Sequence, residues 1–405
     1  MHRKGANFGN LPVELVEAVI EMCQGDYLAL ALVSKLFNAI ATRFIYRHLD
    51  MESPDTLIGV LKALAGNPLA AESVKLLSIT MNTYIRFKPF YSLLEEAISG
   101  CFNVNVLRIS SDQSEYGAIL RKCTFPKLEA FQYLSIDDDA VKFMRRHPHI
   151  THLYFTRNPF SRTLEYPYRP VNLPQLTRLV SSSSAIPFLV PDSPVQHVNM
   201  IWDSADHRHI KETMRVLACR TTPLLTFATT LPYWSESFLH SIVDHLSGIQ
   251  NLIITNLADD LSPDGAYGLF VNALIDVLPN FKQLERVKLA VGDETRPEPT
   301  LYTLCEDYLA AAKLGKACST LGTCIFITGV VFSRHRWGIW LPDSDLPLIE
   351  SWCHYFTFSK RNPLLALPSE VLERFRDDAR NDTEYQLANY LLSSKNMLRR
   401  AARTV

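Results

Sequence analysis

The chain has no long hydrophobic run, no excess of charge of either sign and no closely spaced cysteine pair, and each absence excludes a class of protein. Its longest apolar stretch, near Leu321 to Phe332, is too short to cross a bilayer. The first ten residues, Met1 to Asn10, are polar and lack the apolar centre of a secretory signal. A protein that is neither membrane-spanning nor secreted is therefore expected, in the cytoplasm or nucleus. Forty-one basic side chains balance forty-two acidic ones, for a formal charge of -1, so no general attraction to nucleic-acid phosphates or anionic lipids is built in. Eight cysteines are scattered from Cys23 to Cys353 without the spacing that closes a zinc site. They read as small buried apolar residues of a reducing compartment.

Enzyme signatures are equally scarce. Neither G-x-S-x-G, a P-loop nor G-x-G-x-x-G occurs, which removes the commonest hydrolase elbow and nucleotide cradles. Two histidine groups, His147-Pro148-His149 with His152, and His207 with His209, lack the cysteine or carboxylate neighbours of a metal site. Cys353-His354 are adjacent in sequence, and neighbours on a helix or strand point in different directions, which counts against a catalytic dyad. Asp137-Asp138-Asp139 precede an apolar helical segment, where acids favour the positive end of the helix dipole. No catalysis, cofactor or metal is expected.

What is present is order and pattern. A 47% hydrophobic content with 20% charge over 405 residues is that of a folded chain with ample core. Leu11-Pro12-Val13-Glu14-Leu15 places proline and an acid at a first helical turn. Leu15, Val19, Met22 and Cys23, with Val16 and Ile20 beside them, recur at helical spacing up to Gln24-Gly25-Asp26. A second short helix is expected over Tyr27 to Val33, and Ser34 is a candidate N-cap for a third that carries Phe37, Ile40, Ala41 and Phe44 on one face. That helix should end near Tyr46-Arg47-His48-Leu49.

Leu11-Pro12-x-Glu14-Leu15, then Leu32-Val33-Ser34-Lys35-x-Phe37-Asn38-x-Ile40-Ala41, then Tyr46-Arg47-x-Leu49 together resemble the F-box domain in the form common in fungal proteins. The resemblance covers about a tenth of the chain. It implies that the module binds the Skp adaptor of a Skp-cullin-F-box ubiquitin ligase while the rest of the chain selects a protein substrate. Carried over by position, it makes Leu11, Pro12, Leu15, Leu28, Val33 and Phe37 the apolar residues that insert among the adaptor's helices. An apolar helical face meeting an apolar groove is a common mode of recognition.

From Val74 onward a short motif recurs: apolar, two residues, apolar, one residue, apolar or small. Instances begin at Val74, Val104, Leu128, Ile150, Leu176, Val195, Leu224, Ile249 and Leu284, with starts 19 to 35 residues apart. Leucine-rich repeats recur every roughly 20 to 29 residues with this strand signature. Intervening helices are expected at Asp55 to Ala65, Phe90 to Ser99, Asp138 to Arg146, Ala205 to Cys219, Glu236 to Leu246 and Tyr267 to Leu278, and proline- and serine-rich loops at Arg157 to Pro174 and Ser181 to Pro194. A further helix, Tyr302 to Leu314, leads to two very apolar segments, Cys324 to Phe332 and Trp337 to Leu341. Leu367-Pro368-Ser369-Glu370-Val371-Leu372 echoes the opening motif and reads most simply as a capping helix.

The expected architecture is α/β: an F-box-like three-helix module at residues 1–50, a leucine-rich-repeat-like solenoid at 51–300, and a last repeat with a helical cap at 301–405. Residues alternating with the buried strand positions would line one face, among them Arg108, Gln132, Tyr154, Arg178, Asn199 and Lys288, a basic and polar set. Arginines pair bidentately with carboxylate and phosphate, so a protein partner offering an acidic or phosphorylated segment is expected there. The alternative is a non-catalytic scaffold whose N-terminal helices only cap the repeats, which requires Leu11, Pro12 and Leu15 to face inward.

Overall fold

A computed structural model of the full chain describes residues 11–23, 25–80, 87–111, 114–134, 136–155, 169–202, 206–220, 222–257, 265–292, 300–335, 338–343, 368–379 and 382–401. The chain divides into two compact units, Met1–Val195 and Gln196–Val405.

In the first unit, helices α1 (Val13–Met22), α2 (Tyr27–Ala31) and α3 (Lys35–Ile45) lead directly into strand β1 (His48–Met51). The carbonyl of Pro12 accepts the amides of Leu15 and Val16 at the start of α1. Ser34 caps α3 as its position suggested, its hydroxyl accepting the Phe37 amide at 3.2 Å. Helices α4 (Pro54–Gly66) and α5 (Pro68–Ser73) then connect to β2 (Leu76–Thr80). The rest of the unit alternates: α6 (Lys88–Ser99), β3 (Val106–Ser110), α7 (Ser114–Leu120), β4 (Ala130–Tyr133), α8 (Asp138–Arg146), β5 (His152–Phe155), β6 (Arg178–Ser182) and a short helix α9 (Ile186–Leu189). Strands β1 to β6 pair in sequence order and in parallel.

The second unit holds β7 (His197–Ile201), α10 (His207–Ala218), β8 (Thr226–Leu231), α11 (Glu236–Leu246), β9 (Asn251–Asn256), α12 (Ala266–Val277) and β10 (Arg286–Val291). After α13 (Leu301–Ala317) come β11 (Thr323–Ile325), β12 (Val331–Arg334) and β13 (Trp340–Asp343), then helices α14 (Ser369–Asp377) and α15 (Asp382–Ala401). Strands β7 to β11 run parallel in sequence order, while β11, β12 and β13 form an antiparallel meander.

The expected arrangement of a three-helix module, a leucine-rich-repeat-like solenoid and a helical cap is corrected by this topology. The α/β class holds, but the thirteen strands form mostly parallel sheet and helices are spread through the whole chain. The physical reason lies in the motif itself. An apolar residue at every second strand position marks the core-facing side of any parallel strand packed under helices. All nine motif instances fall on strands, yet the connections between those strands carry α-helices of 4 to 12 residues or lie outside the described segments.

Within each unit the strands are covered on one side. Leu77, Leu107, Phe131, Leu153 and Leu179 align across the first unit and are fully buried. Helices supply the opposing layer: Phe143 of α8 lies 4.7 Å from the Phe131 ring, and Phe238 of α11 packs edge-on to Trp202 at 5.4 Å. The alternate strand residues are mostly half-exposed, leaving an open face that parallel sheets seldom have. The Ser181–Pro194 segment, expected as loop, includes the end of β6 and all of α9.

His147, considered above as a metal candidate, is instead a buried strut. Its Nε2 accepts the Phe125 amide at 2.9 Å and its Nδ1 lies 2.8 Å from the Phe143 carbonyl, an arrangement that fits the neutral ring with Nδ1 donating. Burial pushes its pKa down to about 4 from the usual 6.5. Because the folded-state value is depressed, the contribution to stability is complete above pH 6.5 and drains away as pH falls from 6.5 to about 4. The loss should approach ~3 kcal/mol at the acid end. Denaturant unfolding at pH 7.5 and pH 4.5, compared between the wild type and His147→Gln, should show a shallower acid decline in the variant.

Candidate protein-docking surfaces

The N-terminal helices are built around a small core. Val16 and Ile20 of α1 and Ile40 of α3 are buried, and Tyr27, Leu30, Phe37 and Phe44 pack against them. Tyr27 stacks on Phe44 with ring centroids 5.4 Å apart. Arg43 pairs with Glu17, and Arg47 with Glu21 at 3.3 Å, joining α3 to α1. All four side chains are at least a third exposed, so these pairs orient the helices more than they stabilise them.

This core leaves a second set of apolar side chains outside. Leu11, Val13, Leu15 and Val19 are exposed, Leu28 is 73% exposed, Val33 64%, Met22 84% and Leu32 86%. Nine of the seventeen exposed large hydrophobic residues among the described ones lie between Leu11 and Leu36. Scattered exposed leucines are ordinary, whereas a concentration of them marks an interaction site.

Of the six residues assigned from the resemblance, Leu11, Pro12, Leu15, Leu28 and Val33 are exposed. Phe37 is half-buried and belongs to the local core. Sequence reasoning placed Val19 and Met22 on a helical stripe with Leu15 but gave them, like Val13, Leu32 and Leu36, no docking role. The available signal was that α1 carries two stripes at helical spacing, Leu15-Val19-Met22 and Val16-Ile20, of which one three-helix layer can bury only one.

The open sheet face is the second surface. Arg108, Gln132 and Tyr154 stand abreast on β3, β4 and β5, in a row with Ser78 and with Asp50 of β1. Arg178 lies in the adjacent row beside His152, with Val106 and Ala130 farther along it. In the second unit, Asn199 and Lys288 share a row interrupted by Ala228 and Ile253. Arg108, Arg178 and Asn199 are exposed, and Gln132, Tyr154 and Lys288 are half-buried. The face is thus mixed basic, polar and apolar, and Asp50, brought in by a strand that sequence reasoning read as a helix end, is an acidic member. Burial and the Arg178 charge lower the His152 pKa, favouring its neutral form.

Among the described residues no group of three or more His, Cys, Asp or Glu is placed to hold a metal ion. His149 reaches the Phe125 carbonyl at 3.3 Å and His209 packs against Trp202. Asp137 caps α8, its Oδ1 accepting the Ala140 amide at 2.7 Å. Cys353, His354 and Leu367 lie outside the described residues; Pro368 precedes α14, whose Leu372 and Phe375 are buried. Five of the seven described cysteines are buried. No described helix is long and apolar enough to cross a membrane.

No protein-family model matches the chain, and no curated protein matches it either.

The division of α1 into buried and exposed stripes yields a measurable contrast. Ile20→Ala should cost about 2 to 5 kcal/mol as a cavity-forming core change. Leu15→Ser and Leu28→Ser should each stay within about 0.5 kcal/mol of wild type. Equilibrium unfolding of the three variants checks the assignment.

Proposed function

We propose that the chain is the substrate-recognition subunit of a Skp-cullin-F-box type ubiquitin ligase and performs no catalysis of its own. The carrying observation is the placement of Leu11, Pro12, Leu15, Leu28 and Val33. These residues, assigned to adaptor contact by the F-box resemblance alone, are exposed while other side chains fill the core beneath them. A folded helical layer with its own core and a spare apolar set is suited to helix-groove docking, since burying such side chains gives roughly 1.5 to 3 kcal/mol each.

The capping alternative required Leu11, Pro12 and Leu15 to face inward. All three are exposed, so the structure gives that reading no support. Substrate would bind the open sheet face, where the exposed Arg108 and Arg178 favour an acidic or phosphorylated segment and the interspersed Val106, Ala130 and Val180 add apolar contact. In this reading the protein works inside the cell, where the ligase and its adaptor reside, and needs no cofactor.

The test is co-purification of the full chain with the Skp adaptor. Wild type should retain the adaptor, and a Leu15→Ser, Leu28→Ser, Val33→Ser variant that unfolds at the wild-type denaturant concentration should lose it. Failure of the wild type to bind, or undiminished binding by the variant, would overturn the proposal.

A further inference from the structure

Helices α12 and α13 of the second unit do not close against each other completely, and a cavity of about 380 Å³ lies between them. Its volume is in the range of small-molecule sites, about 300 to 1,000 Å³. Asp307 of α13, Tyr267 of α12 and Thr328 are among its lining residues. The body is lined by apolar side chains such as Val271 and Ile275, and the exposed Tyr302 stands at its margin.

Two polar groups of the lining are buried. Asp307 is 6% exposed, and its Oδ2 accepts the Thr328 hydroxyl at 2.6 Å, the one hydrogen bond to this carboxylate among the described residues. The Tyr267 hydroxyl, on a residue 8% exposed, lies near the Ile327 backbone amide but has no partner within bonding geometry. A buried carboxylate normally recruits several donors, and leaving such capacity unused is costly. Burial, opposed by the Thr328 hydroxyl and helped by the neighbouring Glu306 charge, raises the Asp307 pKa to about 7. The other titratable groups lining the cavity are Tyr267 on α12 and Tyr302, Glu306 and Lys313 on α13, so its two carboxyls outnumber its one cation.

We infer that this cavity binds a small organic ammonium ion, whose charged nitrogen meets the Asp307 carboxylate and whose apolar body fills the space between the two helices. An ammonium offers up to three donors. It would bond the Asp307 carboxylate and reach toward the Tyr267 hydroxyl while its body packs against Val271 and Ile275. A carboxylate or phosphate ligand would instead meet two acids at the cavity. This inference stands independently of the adaptor reading.

The probe is 2-phenylethylamine, titrated calorimetrically into the full-length protein at pH 8 and pH 6, with 2-phenylethanol as the uncharged control. Saturable binding of the amine is expected, weakened roughly tenfold at pH 6 as Asp307 takes up its proton, with the alcohol at least about tenfold weaker at pH 8. Asp307→Asn should weaken amine binding by a similar factor and flatten its pH dependence. If that variant does not fold, Ala310→Phe, which intrudes from a half-buried position on the cavity wall, should block binding instead. Absence of binding at millimolar amine, equal affinity for amine and alcohol, or unchanged affinity in the folded variant would each overturn the inference.

Discussion

At the entry to nine of the parallel strands a single backbone carbonyl accepts two consecutive amides from the entry of the next strand. In the first unit the acceptors are Arg47, Lys75, Asn105, Glu129 and Thr151; in the second they are Gln196, Leu225, Gln250 and Glu285. The distances all fall between 2.8 and 3.1 Å. This shared acceptance satisfies the amides where the chain turns from helix to strand, and it fixes register before the strand ladder begins. Because a slip of one residue would turn every core side chain outward, it also determines which residues occupy the open face. The rows containing Arg108, Gln132 and Tyr154, or Asn199 and Lys288, follow from that register.

The N-terminal helices join the same system. Arg47, just past the end of α3, is the first acceptor, bonding the amides of Lys75 and Leu76. The helices are therefore attached to the sheet by backbone as well as by the Arg43 and Arg47 ion pairs on α1. With α3 held in this way and Val16, Ile20 and Ile40 closed around Phe37 and Phe44, the remaining apolar side chains of α1 and α2 stay outside. A surface of this kind is a liability unless it is functional, and that gives the adaptor reading its physical weight.

Much of the fold was legible because the strand motif corresponds to this backbone arrangement. In each of the nine instances the first apolar residue is buried two positions before the strand, and the residue after it supplies the shared carbonyl or, at Thr177, donates to one. Two further instances escaped notice: Tyr46-Leu49-Met51, read as a helix end, and Leu321-Cys324-Phe326, which ends in an antiparallel meander. The helices α8 and α11 match their expected bounds, whereas the shorter α5, α7 and α9 have too few turns for an apolar stripe to register. The larger architecture was misjudged because the motif reports strand burial and carries no information on how helices are distributed. At the docking surface, periodicity located both stripes of α1 but could not say which turns inward. Asp307 and Tyr267 lie 40 residues apart in sequence and meet through helix packing that no local pattern encodes.

The most direct measurement of the central claim is hydrogen exchange of the full chain, read by mass spectrometry with and without the Skp adaptor. The account predicts added protection over α1, α2 and the segment through Val33, with exchange in strands β3 to β5 and β8 to β10 unchanged. Protection confined to the open sheet face, or none in the N-terminal helices at saturating adaptor, would contradict it.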